Sequence, residues 1–166
     1  RETFGRMAMN DYETAALVAG GHTFGKSHGA ASESFKGPDP EASRLQDQST
    51  GWNSGYKSGK GVDTISSGIE GAWTQNPIQW DMGYLDCLYG HEWELTKSPA
   101  GAHQWTPKKN GQQIKMVPDA HQKGVLHPPM MQTTDISMKV DPSYGPITKH
   151  FHQNPKEFHD AFARAW

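Results

Sequence analysis

One of the nine histidines in this sequence stands where a side chain could bind a metal. His22 directly follows two glycines in the stretch LVAGGHTFGKSHGA, and His28 comes six positions later. Because glycine carries no side chain, the backbone before His22 can approach a ligand closely. A histidine in this place more often ends a helix and interacts with its dipole. The residues alone leave both roles open, together with a zinc site formed by His22 and His28.

Composition and motifs narrow the possible functions. Neither H-E-x-x-H nor a D-x-D-x-D-G loop occurs, which disfavours zinc-protease and calcium functions. The single cysteine, Cys87, excludes an internal disulfide, a cysteine-rich zinc module and a C-x-x-C-H motif. The 16 basic and 18 acidic residues give a net charge of -2, and the sequence has no run of basic residues. We therefore expect neither nucleic acid nor a membrane as partner.

The elements that must position His22 begin with a helix. Asn10 and Glu13 form a predicted capping box, the good helix formers of residues 14–19 follow, and Gly20-Gly21 end the helix. This pattern places His22 at or just beyond a helix C-terminus. The chain begins at Arg1, without a methionine, and stops within a helical pattern, so we expect it to be part of a longer protein.

Three further helices are predicted along the chain. Residues 81–89 have apolar side chains at helical spacing, and Asp141-Pro142 and Asn154-Pro155 each open another helical segment. The last segment carries three aromatic residues on one face: Phe158, Phe162 and Trp166. Residues 29–63 and 97–129 are rich in turn residues, and KKNGQQ is expected to form a hairpin or a loop tip. The sequence therefore predicts helices joined by long irregular connections.

Four stretches together resemble a known family: AALVAGGHTFGKSHGA, DTISSGIEGAWT, YGHEWELTKSPAGAHQW and TTDISMKVDPSYGPITKHF. They are similar, in this order, to the proximal half of the N-terminal haem domain of catalase-peroxidases, in the plant-type haem peroxidase superfamily. The resemblance covers residues 1–166 as a partial haem domain whose distal half lies upstream. It implies a mainly α, plant-type haem peroxidase fold with proximal-side helices, long loops and little β structure.

The resemblance also implies roles for particular residues. His22 matches the proximal axial ligand of the iron of one non-covalent haem b. Asp135 matches the carboxylate that accepts from the far nitrogen of that histidine, and Trp73 matches an indole that stacks near it and donates to the same carboxylate. Without the resemblance, Asp135 is most simply an N-cap or turn residue and Trp73 a core residue.

Four further matches concern the edge of the site. Lys26 and His28 match residues near the haem propionates, although both also suit a solvated surface. Ser67 matches a residue beside a propionate in the substrate channel, and on its own suits a turn. Met7 matches the methionine of a covalent Trp-Tyr-Met adduct that supports catalase activity, and its partners are expected upstream.

The function implied by the resemblance is that of a haem-dependent oxidoreductase acting on hydrogen peroxide. Catalase activity and broad peroxidase activity toward small electron donors are both expected, in a cytoplasmic protein that forms a homodimer at full length. The alternative is a non-catalytic haem-binding fragment that lacks the distal catalytic residues.

Overall fold

The computed structural model describes residues 1–29, 31–48, 53–65, 67–108 and 114–166. Six α-helices lie within these ranges: α1 Glu2–Arg6, α2 Asp11–Gly21, α3 Gly83–Gly90, α4 Thr133–Val140, α5 Tyr144–Gln153 and α6 Pro155–Ala165. Four short strands form two separate antiparallel pairs: β1 Trp93–Lys97 with β2 His103–Pro107, and β3 Val117–Pro118 with β4 Leu126–His127. The prediction of a mainly α fold with little β structure is confirmed.

Helix α2 begins as its sequence predicts. The Asn10 side chain accepts from the backbone N–H of Glu13 at 2.9 Å, and the Glu13 carboxylate accepts from the backbone N–H of Asn10 at 3.0 Å. The helix continues two residues further than expected, through both glycines, and His22 is its C-cap. A Cβ at Gly20 would stand 2.1 Å from the Phe162 ring, so α2 and α6 can approach this closely only at a residue without a side chain.

The core lies where α2, α3, α5 and α6 meet. Helix α2 contributes small, fully buried alanines, and the other helices contribute the large side chains Tyr84, Leu85, Leu88, Phe151 and Phe158. Burying each large apolar side chain contributes about 1.5–3 kcal/mol relative to exposure. The small face of α2 therefore lets bulky residues from three helices close around the segment that leads to His22.

The two predicted C-terminal helices are present. Pro146 is the third residue of α5, and Pro155 opens α6 at its first position, where a missing N–H costs nothing. On α6, Phe158 is buried, Phe162 stacks on Trp80 with ring centroids 4.6 Å apart, and Trp166 is 88% exposed. The aromatic face thus turns from core packing to surface along its length.

The hairpin β1–β2 was not predicted from the sequence. Its register pairs Trp93 with Pro107 and Lys97 with His103. The exposed and half-buried positions of β1 do not alternate strictly, so the period-2 pattern that marks a strand is weak. Most of KKNGQQ lies outside the described residues. Within the predicted loop of residues 29–63, the described part contains four short 3-10 turns: Glu33–Phe35, Pro40–Ala42, Leu45–Asp47 and Gly61–Asp63.

Among the described residues, none of the helices has the length and apolar content needed to cross a bilayer.

Candidate metal-ligand site

Asp135 is the centre of a buried hydrogen-bonded unit. Its side chain is completely buried near the start of α4 and accepts from four donors. One carboxylate oxygen, Oδ1, accepts from His22 Nδ1 at 2.7 Å and from the Tyr84 hydroxyl at 2.9 Å. The other, Oδ2, accepts from Trp73 Nε1 at 2.8 Å and from the Gln132 backbone N–H at 2.7 Å. Full satisfaction of this kind is what allows a carboxylate to be buried.

The position of Asp135 in its helix explains part of this arrangement. It is the third residue of α4, where a carboxylate can reach back to the N-cap N–H of Gln132. Just before the helix, Met131 and Trp105 exchange two backbone hydrogen bonds of 2.7 and 2.9 Å, which attach this segment to β2. Asp135 therefore caps its helix and also holds the side chains that point at it.

The chain after His22 is paired with the chain before Trp73. Ser27 and Gly71 exchange two backbone hydrogen bonds of 2.9 Å each in an isolated antiparallel bridge. Gly71 has φ +126°, and a Cβ at this residue would lie 3.1 Å from the Met130 side chain, so the position favours glycine on both counts. This pairing brings Trp73 alongside His22, although 50 residues separate the two in sequence.

The His22 ring is held on three sides. It stacks on the Trp73 indole with centroids 4.1 Å apart and planes 13° apart, and the Tyr84 ring meets it edge-on at 5.8 Å. Because an ionised carboxylate only accepts hydrogen bonds, Nδ1 of a neutral His22 must carry the ring proton. The lone pair is then on Nε2, which has no hydrogen bond within the described part of the chain. This is the tautomer that a histidine metal ligand requires.

Tyr84 is the member of this unit that the sequence reasoning missed. It belongs to α3, which the sequence predicted as a helix without singling out Tyr84, and it is fully buried. Burial, followed by the negative charge of Asp135, raises the pKa of Tyr84 well above its usual value, so the phenol stays protonated and donates. No local sequence signal marks this role, because the contact joins residues 51 positions apart.

Lys26 and His28 meet on one carboxylate. Lys26 Nζ lies 2.8 Å from Glu70 Oε1, and Glu70 Oε2 lies 2.8 Å from His28 Nδ1 and 2.7 Å from the backbone nitrogen of Gly29. Burial alone would raise the pKa of Glu70, but the hydrogen bonds from His28 and Lys26, and the charge of Lys26, lower it. Sequence reasoning did not identify Glu70. Its partners lie more than 40 positions away, so the cluster is a tertiary feature.

Ser67 and Met7 stand outside both clusters. The Ser67 hydroxyl donates to the Ile69 carbonyl oxygen at 3.2 Å and accepts from the Ile69 N–H at 3.1 Å, as a turn hydroxyl does. Met7 follows α1 and is 55% exposed. Neither makes a hydrogen bond or ring contact with His22 or Asp135 in the described residues.

An apolar groove lies beside His22. Its volume is about 730 Å³, and Gly21 and Phe24, on either side of the histidine in sequence, form part of its wall. Trp80, Phe162 and Trp166 supply most of the remaining apolar surface. A larger cleft of about 860 Å³ includes Lys26 and Glu70 but not His22. His22 is not among the described residues that line either cavity, but its sequence neighbours Gly21 and Phe24 form part of the wall of the smaller groove.

Other metal and phosphate sites find no basis in the geometry. Within the described ranges, no group of three or more His, Cys, Asp or Glu side chains could hold a metal ion, so the zinc alternative lacks a ligand set. Residues 20–27 match the letters of the phosphate-binding pattern G-x-x-x-x-G-K-[ST]. That loop must lead from a strand into a helix, whereas this stretch ends α2 and continues as extended chain.

The fold and the site define a mainly helical protein with a histidine oriented as a metal ligand by a buried carboxylate. A family model described as Peroxidase matches residues 1–154, and the chain belongs to the peroxidase family. The predicted peroxidase fold is confirmed by this match.

Individual relatives narrow the resemblance. The chain is 63% identical over 166 residues to a catalase-peroxidase of Maridesulfovibrio salexigens, 62% identical over 167 residues to one of Koribacter versatilis, and 60% identical over 166 residues to one of Acaryochloris marina. Each match covers 100% of this chain but only 22–23% of the relative's length. The predicted resemblance to catalase-peroxidases is confirmed along the whole chain, which spans less than a quarter of these relatives.

Proposed function

We propose that this chain forms the proximal side of a haem b site, with His22 as the axial ligand of the iron. The complete protein is then a catalase-peroxidase that decomposes hydrogen peroxide and oxidises small electron donors. The observation that carries the proposal is the buried carboxylate of Asp135, which accepts from His22 and Trp73 at 2.7 and 2.8 Å.

The residues present fit a haem. Nδ1 of His22 is occupied by Asp135, so Nε2 presents its lone pair, and the side chain is 25% exposed. The neighbouring groove is lined by Phe24, Phe162 and Trp166 and offers apolar surface of the kind that a porphyrin edge buries. A histidine nitrogen is the proximal iron ligand of peroxidase haem sites.

Haem iron, when bound, supplies the redox chemistry with peroxide, and the chain sets the electronic character of its ligand. The Asp135 carboxylate polarises the Nδ1–H bond of His22, which makes the imidazole a stronger donor and favours the ferric state. Trp73 stacks on that imidazole and offers an oxidisable indole within van der Waals distance of it. Because Asp135 accepts from both rings, the three side chains act as one unit.

Charge at the edge of the site is set by the Glu70 cluster. Lys26 and His28 match residues near the propionates in the family, and the Glu70 carboxylate offsets the charge of Lys26. We propose that both side chains serve a propionate as hydrogen-bond donors, positioned by Glu70, and that Ser67 lines the channel beside it. The exposed Met7 sulfur is proposed to join the covalent adduct. The homodimer and the cytoplasmic location stay predictions of the resemblance.

The substitution His22→Ala tests the proposal, and His150→Ala is its matched control. His150 is an exposed histidine paired with Glu157 at 2.8 Å, on a different helix. Haem content by the pyridine haemochrome assay and peroxidase rate are expected to fall steeply in His22→Ala and to match the parent protein in the control. Unchanged haem content and rate in His22→Ala would refute the proposal. Haem bound through His22 of this chain alone, without peroxide turnover, would support the alternative of a non-catalytic haem-binding fragment.

A further inference from the structure

Two hydrogen-bond donors share one oxygen of Asp135. His22 Nδ1 approaches Oδ1 at 2.7 Å, and the Tyr84 hydroxyl approaches the same atom at 2.9 Å. All three groups lie in or beside the core, and Tyr84 and Asp135 are both fully buried, so water does not compete for the oxygen. The negative charge that His22 experiences therefore depends on what Tyr84 withdraws.

The other carboxylate oxygen, Oδ2, is not available to accept the hydrogen bond from His22 or Tyr84 in place of Oδ1. Oδ2 is already occupied by the Trp73 indole and by the Gln132 backbone N–H. The carboxylate is held in place at both ends and cannot rotate to present a less burdened oxygen to His22. Hydrogen bonds in a low-dielectric interior polarise one another, and each donor to a shared acceptor reduces the basicity left for the next.

We propose that Tyr84 is a positioning residue of the proximal site, which limits how strongly Asp135 attracts the Nδ1 proton of His22 and so tunes the iron. This inference rests on the proposed function, because it assumes that Nε2 of His22 binds the haem iron. Removing the Tyr84 hydroxyl concentrates negative charge on Oδ1 and gives the imidazole more imidazolate character. The ferric state is then stabilised, and the Fe(III)/Fe(II) potential falls.

The direct test is Tyr84→Phe in the haem-loaded, full-length protein, which deletes the hydroxyl and keeps the ring. Two quantities are measured: the Fe(III)/Fe(II) potential and the iron–histidine stretching frequency in the resonance Raman spectrum of the ferrous form. The potential is expected to fall and the stretch to move to higher frequency. A merely structural role for Tyr84 would not produce both a lower potential and a higher stretching frequency.

Tyr89→Phe is the matched control, because it deletes a hydroxyl from the same helix. The Tyr89 hydroxyl contacts Thr148 at 2.8 Å and the Gly145 carbonyl at 3.2 Å, and it makes no hydrogen bond to Asp135. This variant is expected to keep the parent potential and stretching frequency. A site-specific 3-fluorotyrosine at position 84 adds a change of opposite sign, since its more acidic phenol donates more strongly and raises the potential. It also serves if Tyr84→Phe does not fold.

The outcomes separate the inference from the proposed function. If the parent protein lacks an iron–histidine stretch, the proposed function fails. If the stretch is present but neither change at Tyr84 shifts it, or if the potential rises in Tyr84→Phe, the role of Tyr84 is wrong and His22 ligation stands. Shifts of equal size in Tyr89→Phe would also overturn the inference, because they would show a general effect of weakened packing in α3.

Discussion

Replacing Asp135 with alanine removes the acceptor of four hydrogen bonds in one step. The donors respond differently. His22 can change tautomer and the Tyr84 hydroxyl can rotate toward another acceptor, so their losses are partly recovered. The Trp73 indole N–H and the Gln132 backbone N–H only donate, and they lose their partner outright. The effect on stability can therefore be worked out from these last two groups.

The indole of Trp73 is 5% exposed, and an unsatisfied buried donor costs about 1–3 kcal/mol. The bond to the Gln132 N–H caps α4, and loss of a helix cap costs about 0.5–2 kcal/mol. The free energy of unfolding of Asp135→Ala is therefore expected to fall by about 1.5–5 kcal/mol.

Urea unfolding of the haem-free protein measures this difference without a contribution from haem binding. Asp160→Ala is the control, because Asp160 pairs with Lys156 on the surface of α6 at 3.0 Å. Such a pair contributes about 0.3–0.5 kcal/mol, which the higher helix propensity of alanine offsets. If Asp135→Ala is no less stable than Asp160→Ala, the carboxylate does not organise the site in the way described.

Three other predictions concern packing, pH and reactivity. Gly20→Ala forces a Cβ against Phe162 and is expected to lower the free energy of unfolding by about 1–3 kcal/mol. Gly21→Ala has open space around its Cβ and should be neutral or stabilising. Equal stabilities of the two variants in urea would contradict the packing argument. The pKa of Glu70 is lowered in the folded protein, so the stabilisation by its carboxylate is complete above the ordinary pKa of 4.5 and is lost as the pH falls through the folded value. Glu70→Gln should therefore flatten the dependence of stability on pH below pH 4.5. An unchanged slope in acid would contradict this role of Glu70. Burial raises the pKa of Cys87 to about 11, so a thiol reagent at pH about 8 should label it only after unfolding, and rapid native-state labelling would show that the side chain is not buried.

Local sequence patterns predicted where helices α2 and α6 begin. The capping box of Asn10 and Glu13 needs only neighbouring residues, and it forms as expected. Pro155 at the first turn of α6 is equally local. The end of α2 was less predictable, because Gly20 and Gly21 usually stop a helix and here continue it. The close approach of Phe162 explains why residue 20 is a glycine, and that approach depends on how α6 packs.

The cluster of Glu70 with Lys26 and His28 could not be predicted from the sequence. The resemblance to a family suggested positions for Lys26 and His28 but did not indicate that one carboxylate holds both. The hairpin β1–β2 was missed for a related reason, since the strands are short and their exposed positions do not alternate strictly. Both features depend on partners that no local pattern specifies.

By itself, the sequence determined the start of the helix that leads to His22 and the predominance of helices, because both follow from residue types and short-range spacing. Only the tertiary structure decided that Tyr84 shares an Asp135 oxygen with His22. The physical reason is that a buried carboxylate recruits donors wherever the packed chain brings them, and packing joins residues 51 and 113 positions apart with no trace in the local sequence.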